Sequence, residues 1–224
     1  LRMFGSNAGL ALAGLLGGFV SSTATIAAMA ERARKTPAIA PAAAAAGLMS
    51  NVATVIQLAV VLGAISLPLL HRVTPALIAS GLVAAAVALV SSWRAFGSAI
   101  DTGRFSGKRP FEPLAVLRFV AVLAGIMLMA AILREALGED SAPWVIGLSG
   151  LADVHAAAAS AAQSMATGRM DLDLAASGLL AALASNTLLK CAVAWSKGGA
   201  AFAVRLVPGV IAMVGAFAGM LLLS

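Results

Sequence analysis

Three ionisable side chains lie inside long apolar runs of this sequence: Asp153, His155 and Lys190. A charged residue at the centre of a membrane helix costs about 2.5–3.5 kcal/mol on insertion scales. Such residues face the protein interior or a water-filled cavity, where they bind ions or carry protons. We therefore expect Asp153 to bind or release a coupling cation or proton. The alternative for Asp153 is a structural hydrogen bond to a neighbouring helix.

The positions of His155 and Lys190 leave two interpretations open for each residue. In an unbroken helix, His155 and Asp153 would point about 200° apart, so they share a site only where the segment is unwound. His155 could relay protons because it titrates near neutral pH, or it could be a hydrogen-bonded interior residue. Lys190 shares a helix face with Asn186. It could pair with Asp153, or it could extend towards the membrane surface.

Two stretches of the pattern A-x-L-x-S-N, at 46–51 and 181–186, place a serine and an asparagine inside apolar runs. Glycines and a polar cluster precede each stretch. Glycine weakens a helix and permits close approach of another backbone, and a half-helix that starts there has a partly positive N-terminus suited to an anion. These asparagines could also simply hold helices together. The candidate pathway residues are Asp153, His155, Ser21, Ser22, Thr23, Thr25, Asn51, Asn186 and Lys190, and the candidate hinges are Gly17, Gly18 and Gly150.

The composition is that of an integral membrane protein. Of the 224 residues, 61% are hydrophobic and 11% are charged, and the mean hydropathy is +1.00. A soluble domain of this length would need more polar residues to cover its surface. Only helices or a closed barrel can span lipid, and the continuous apolar runs lack the alternation of barrel strands. We therefore predict an all-α polytopic transmembrane bundle in contact with the lipid bilayer.

A membrane span needs about 20 apolar residues, and the sequence contains about seven candidates. They cover roughly 8–30, 39–66, 75–93, 114–136, 143–165, 173–196 and 202–223. The boundary between the second and third candidates contains His71 and Arg72.

Matching Gly18 with Gly150 aligns Ser21 with Asp153 and predicts an internal repeat of three-helix units. The predicted divisions are a first repeat unit at 1–93, a basic cytoplasmic linker at 94–113, and the fourth span plus the second unit at 114–224. Seven crossings would make the units parallel, whereas a re-entrant hairpin at either polar cluster would make them inverted. Repeats with interrupted segments at matching positions are a sequence pointer to a transporter's central site.

The net charge of +6 fits basic loops beside anionic lipid better than it fits nucleic-acid binding. One predicted side holds Arg32, Arg34, Lys35, Arg94, Arg104, Lys108, Arg109 and Arg169, and the other holds Arg2, Arg72, Arg134, Lys197 and Arg205. The positive-inside rule makes the first side cytoplasmic, which puts Leu1 outside and Ser224 inside. Because an outside N-terminus without a signal peptide is unusual, we expect a further segment before Leu1.

Three stretches carry a resemblance to a known family: GLLGGFVSSTATIAAMAERARKTP at 14–37, GLADVHAAAASAA at 150–162 and AALASNTLLKCAVAW at 181–195. Together they resemble a bacterial integral-membrane domain of unknown function that follows an MgtC/SapB-type domain in the same chain. The resemblance covers nearly all of the sequence. It implies a multi-pass protein of the bacterial inner membrane with a possible upstream MgtC/SapB-type domain, and it implies no substrate.

These features predict a secondary transporter or permease domain for a small solute or ion, with a polar site at the middle of the membrane. The alternative is a non-transporting regulatory or scaffolding membrane subunit of the MgtC/SapB-associated type. The sequence has no nucleotide-binding, hydrolase or metal-ligand motif. We therefore expect no enzymatic activity, no cofactor, no metal site and no nucleic-acid partner.

Overall fold

The computed structural model describes residues 6–95 and 142–223, together with the helical positions 125, 128, 129 and 132. Within this part of the chain every regular element is helical, as predicted. The helices are α1 Ser6–Lys35, α2 Ala40–Ile65, α3 Leu67–Ala95, α4 Ala142–Ser149, α5 Val154–Ala166 and α6 Leu172–Leu223, and a short 3-10 turn at Pro37–Ile39 joins α1 to α2.

Four of the described helical segments are long and apolar enough to cross a membrane, which agrees with the predicted membrane class. They are Gly9–Lys35, Pro37–Ile65, Leu67–Ser92 and Leu172–Leu223. The predicted fourth span at 114–136 lies outside the described residues except for the isolated positions, and so does the linker at 94–113 beyond the end of α3. The predicted fourth span therefore stays a prediction.

Helix α3 begins eight residues before the predicted third span, so the boundary proposed around His71 and Arg72 is wrong. Only Ser66 separates α2 from α3, and its hydroxyl accepts a hydrogen bond from the Leu69 amide at 3.3 Å. Because Pro68 occupies the first turn, where its missing N–H leaves no helical bond unmade, the helix can start at Leu67.

Helix α6 folds back on itself at Gly199. A straight helix of its 52 residues would be about 78 Å long. Gly199 has φ 67° and ψ −177°, and residues at both ends of the helix bind one side chain. Arg72 Nε lies 3.0 Å from Asp173 Oδ1, and its Nη atoms lie 3.5 Å from the Leu221 carbonyl oxygen. The two arms, 172–198 and 200–223, correspond to the predicted sixth and seventh spans.

Helix α1 also folds back, at Ser21, whose backbone is extended with φ −167° and ψ 113°. A Cβ atom placed on Gly17 would lie 2.7 Å from Thr25 Oγ1. Eight residues of straight helix would separate these positions by about 12 Å. The predicted first span, 8–30, is therefore a hairpin with arms at 6–20 and 22–35.

The contacts of the first arm of α1 show where this hairpin enters the bundle. A Cβ atom on Gly14 would lie 2.2 Å from the Ala46 carbonyl oxygen, and one on Gly18 would lie 2.6 Å from Ser50 Cα. The first arm thus runs in the same direction as α2, and the second arm returns to the start of α2 through Pro37–Ile39. Both ends of the hairpin lie at one end of the bundle.

Helices α4 and α5 form a second hairpin in place of the predicted fifth span at 143–165. Ile146 packs on Gly178, and a Cβ atom on Gly150 would lie 2.2 Å from the Ala182 carbonyl oxygen. Helix α4 therefore runs in the same direction as the first arm of α6. Helix α5 returns to the start of α6 through residues 167–171.

Two ion pairs identify opposite ends of the bundle. Lys197 Nζ lies 2.6 Å from Glu31 Oε1, and we call this side the Glu31 end. The side with Arg72 and Asp173 is the Arg72 end. The α1 hairpin enters from the Glu31 end, and the α4–α5 hairpin enters from the Arg72 end.

Because of the two hairpins, some charged residues lie at the opposite end of the bundle from the one predicted. Lys197 lies at the Glu31 end with Arg32, Arg34 and Lys35, although the sequence had assigned it to the opposite side. Arg169, predicted on that basic side, instead lies between α5 and α6 at the Arg72 end. The start of α1 lies at the same end of the bundle as Arg32, and the end of α6 lies at the other end, whereas the predicted crossings placed them the opposite way round. The reason is that each hairpin returns to the side it entered and removes one crossing.

Candidate functional site

Buried polar side chains form a layer between two apolar clusters. Leu58, Leu62 and Leu183 belong to the cluster towards the Arg72 end, whereas Ile26 and Phe202 belong to the cluster towards the Glu31 end. Between them lie polar residues of α2 and of the first arm of α6, each at most 5% exposed. This polar layer consists of Ser50, Asn51, Thr54, Asn186, Thr187 and Lys190.

Lys190 and Asn51 connect the two helices of the polar layer. Both residues are 0% exposed, and Lys190 Nζ donates a hydrogen bond to Asn51 Oδ1 at 2.8 Å. Asn51 Nδ2 donates to the Gly47 carbonyl oxygen of its own helix at 2.9 Å. Lys190 thus makes neither of the contacts considered from the sequence, because it is buried and forms no ion pair with Asp153 or any other described residue.

At the turn of the α1 hairpin, two side chains form hydrogen bonds to backbone groups, one from within the turn and one from α2. The Ala24 amide donates to Ser21 Oγ at 3.2 Å, so Ser21 caps the second arm. Gln57 Nε2 on α2 donates to the Phe19 carbonyl oxygen at 3.0 Å. Carbonyl groups freed by a helix break need such partners in an apolar surrounding. Ser22, Thr23 and Thr25 follow in the second arm and are 6–8% exposed.

The turn of the α4–α5 hairpin is capped by an ionisable residue. Asp153 has an extended backbone with φ −156° and ψ 113°, and its side chain accepts from the His155 amide at 2.8 Å. His155 Nδ1 also lies 3.0 Å from Asp153 Oδ1. The break therefore brings Asp153 and His155 together, which an unbroken helix would prevent. A carboxylate at this position also complements the partial positive charge of the α5 N-terminus.

The first arm of α6 binds the carbonyl end of α4. Asn186 Nδ2 donates to the Gly150 carbonyl oxygen at 3.0 Å, and Ser185 Oγ donates to the Gly147 carbonyl oxygen. The serine and asparagine of this A-x-L-x-S-N stretch thus bind the α4–α5 hairpin to the first arm of α6. In the other stretch, Ser50 and Asn51 both donate to the Gly47 carbonyl oxygen of their own helix.

The candidate hinge glycines all lie at close contacts. A Cβ atom on Gly18 would come within 2.6 Å of the Ser50 backbone, and one on Gly150 would come within 2.5 Å of Ala182 Cα. Gly17 faces Thr25 across the α1 hairpin. The helices bend at Ser21 and at 150–153, so these glycines provide room beside the bends.

Some polar atoms in this region have no hydrogen-bond partner among the described residues. They include Asn186 Oδ1 and Thr187 Oγ1 in the polar layer, and His155 Nε2 and Gln57 Oε1 at the hairpin turns. Such buried atoms are costly unless something binds them. Sequence reasoning did not select Gln57, Ser185 or Thr187; Ser185 could have been found because it belongs to the repeated stretch.

Comparison with known proteins gives one family and no function. A family model with the description "Domain of unknown function (DUF4010)" matches residues 1–198. No curated protein matches the chain, and no solved structure matches it.

Proposed function

The chain belongs to the DUF4010 family of domains of unknown function, and we propose that it is a secondary transporter or permease domain for a small solute or ion. Its central site would comprise the polar layer and the turns of the two hairpins. The observation that carries this proposal is the arrangement of the two helical hairpins. They enter the bundle from opposite ends, and each turns beside the polar layer. Broken helices at the membrane midplane are a common way to build such sites.

We infer that the hairpins belong to two inverted repeats of three-helix units. Each unit would consist of a hairpin, a helix with an A-x-L-x-S-N stretch, and a further helix. Helix α2 runs from the Glu31 end to the Arg72 end, and the first arm of α6 runs the opposite way. The caps Ser21 and Asp153, which the sequence aligns, have nearly the same backbone angles. These correspondences support an inverted relation between the units.

Unequal hydrogen bonds at equivalent positions provide a basis for two states. Asn186 holds the α4–α5 hairpin through Gly150. Its counterpart Asn51 instead bonds within α2 and accepts from Lys190. In the alternate state, Asn51 would release Lys190 and bind the Gly18 carbonyl, the counterpart of Gly150. The α1 hairpin, which Gln57 already binds through the Phe19 carbonyl oxygen, would then gain a second hydrogen bond to α2. The α4–α5 hairpin would lose its bond to Asn186, which would change the side from which the site opens.

Cysteine accessibility tests this proposal directly. Cys191 is replaced, single cysteines are placed through 17–25, 149–157, 49–54 and 184–190, and a polar thiol reagent is added from each side of the membrane. We expect labelling at both hairpin turns, because a transport path contains water. The controls are cysteines at Val60 and Leu82, two apolar positions on the outer surface of α2 and α3. These positions would face lipid, so a polar reagent should not label them.

The opposite result would contradict a transport path. If neither turn is labelled while cysteines at the helix ends react, the polar residues serve as dry contacts between helices. The regulatory or scaffolding alternative would then be the better proposal. In that case polar-layer variants would change assembly and leave flux unaffected.

The remaining proposals follow from the sequence. We propose a non-enzymatic protein of the bacterial inner membrane, with seven apolar segments of which the first and fifth are the hairpins. The Glu31 end would be cytoplasmic, because Arg32, Arg34, Lys35 and Lys197 lie there. An MgtC/SapB-type domain preceding this one would be a natural partner.

A further inference from the structure

Lys190 is a fully buried amine whose described surroundings supply no negative charge. It is 0% exposed, and its hydrogen bond to Asn51 Oδ1 joins it to a neutral amide. The ion pairs Arg72–Asp173 and Lys197–Glu31 and the contact of His155 with Asp153 do not involve it. An unpaired ammonium group is strongly disfavoured in an apolar interior, and a bound anion that is also hydrogen-bonded offsets part of that penalty.

Other groups near Lys190 add hydrogen-bond donors suited to an anion. Thr187 precedes Lys190 by three residues, so the two side chains lie on neighbouring parts of one helix face. Thr187 is 5% exposed, and its hydroxyl has no hydrogen-bond partner among the described residues. A protonated lysine ammonium group carries three N–H donors, and Asn51 accepts from one of them. Two N–H groups and one hydroxyl therefore remain for a ligand.

The two hairpins differ in the charge that they place at this depth. The N-terminus of the second arm of α1 is capped by neutral Ser21, so its partial positive charge is not offset by a carboxylate. The N-terminus of α5 has Asp153, but that carboxylate is engaged by the His155 amide and ring. Asp153 keeps its negative charge in these hydrogen bonds but forms no ion pair with Lys190, so no described carboxylate lies in contact with the lysine.

We propose that the polar layer binds a small anion, whose negative charge pairs with Lys190 and accepts a hydrogen bond from Thr187. This inference rests on the proposed transport function and specifies the class of solute. A bare cation does not fit the site because it would lie beside the lysine amine without a counter-charge. Phosphate, carboxylates and halides share the required chemistry.

Thermal unfolding of the purified chain in detergent tests the binding step. The probes are the sodium salts of chloride, nitrate, acetate, phosphate, sulfate and malate at one fixed sodium concentration. We expect at least one anion to raise the unfolding temperature of the wild type more than that of Lys190→Met. The variant Lys35→Met removes a charge of the same sign from an exposed position at the Glu31 end, and should respond like the wild type.

Asn51→Asp provides a second variant that retains the lysine. An aspartate at this position would lie beside Lys190 Nζ and act as an internal counter-charge, and the new ion pair would offset the lost hydrogen bond from Asn51 Nδ2 to the Gly47 carbonyl oxygen. We expect it to fold and to lose the anion-specific stabilisation. Equal responses of the wild type, Lys190→Met and Asn51→Asp to every anion would overturn the inference, and so would a complete lack of anion-specific stabilisation.

Flux measurements separate this inference from the proposed function. Proteoliposomes are loaded with the stabilising anion, and exchange of its radiolabelled form is compared with uptake of rubidium and sodium. Anion-specific stabilisation without any flux would contradict transport and leave the anion site standing. Cation uptake that persists in Lys190→Met, without an anion effect on unfolding, would support transport and refute the anion site.

Discussion

Lys190 Nζ lies 2.8 Å from Asn51 Oδ1 and joins two antiparallel helices at the polar layer. The alignment of the A-x-L-x-S-N stretches pairs Asn51 with Asn186 and Lys190 with Val55. Because Val55 cannot donate a hydrogen bond, no equivalent contact can form on the other side of the bundle. Lys190 carries a charge and its aligned position Val55 does not, so the two aligned positions present unequal side chains beside the polar layer.

The α1 hairpin predicts a disulfide that a straight helix cannot form. A Cβ atom on Gly17 would lie 3.6 Å from Thr25 Cβ, within the range of about 3.5–4.5 Å seen in disulfides. In a Cys191→Ala background, we expect Gly17→Cys with Thr25→Cys to cross-link under mild oxidation. The measurement is the number of free thiols by mass spectrometry after maleimide labelling.

A matched pair on α2 controls for this cross-link. Ala53→Cys with Val61→Cys has the same spacing of eight residues in an uninterrupted helix, where the positions are about 12 Å apart. This pair should keep both thiols free. Free thiols in the Gly17 and Thr25 pair under the same conditions would show that α1 does not fold back at Ser21.

Gly150→Ala should destabilise the protein. Its Cβ atom would lie 2.2 Å from the Ala182 carbonyl oxygen and 2.5 Å from Ala182 Cα, so α4 must move away from α6. Overpacking of this kind costs about 1–3 kcal/mol. Gly219→Ala is the control, because nothing lies within 4 Å of its added Cβ, and it should be neutral or stabilising by up to about 1 kcal/mol. Thermal unfolding in detergent compares the two; an equal effect would contradict the close contact.

The positions of the helix breaks were accessible from the sequence because their signals are local. Glycines next to Ser21 and Asp153 interrupted apolar runs, and the structure bends at Ser21 and Asp153. The approach of Asn186 to the segment around Gly150 was also foreseeable from the repeated stretch. The class of helical membrane protein followed from composition alone.

The path of the chain after each break depends on tertiary contacts that hydropathy does not contain. A hairpin and a full crossing both need about 20 apolar residues, so the sequence predicted spans at 8–30 and 143–165 and left re-entrant hairpins there as the alternative. The error propagated to the side assigned to Lys197. The hydrogen bond between Lys190 and Asn51 could not be predicted from the sequence either. It forms only because α2 and the first arm of α6 are antiparallel neighbours that place the two residues at the same depth.

Gly199→Ala should also be destabilising, for a backbone reason. With φ 67° and ψ −177°, Gly199 occupies a region that is essentially restricted to glycine and costs other residues about 1–3 kcal/mol. Gly215→Ala is the control, because Gly215 lies in the second arm of α6 and nothing lies within 4 Å of its added Cβ. Thermal unfolding should show a lower midpoint for Gly199→Ala alone. An unchanged midpoint would mean that the two arms of α6 are not joined by this turn.

Asp153 combines a capping role with a charge, and two variants separate them. Asparagine caps helices about as well as aspartate, whereas alanine costs about 0.5–2 kcal/mol. We expect Asp153→Asn to unfold at nearly the wild-type temperature and Asp153→Ala to unfold at a lower one. Ser21→Ala removes the aligned neutral cap, and its loss of stability should be similar to that of Asp153→Ala.

Transport by the same variants tests the charge of Asp153. If this carboxylate binds or releases a coupling cation or proton, Asp153→Asn should be folded and inactive in the proteoliposome exchange assay. Ser21→Asp, which introduces a carboxylate at the aligned cap, is the matched variant and should not restore activity to Asp153→Asn. Full exchange by Asp153→Asn at a normal level of protein would show that Asp153 serves only as a helix cap, and the coupling site would have to lie elsewhere.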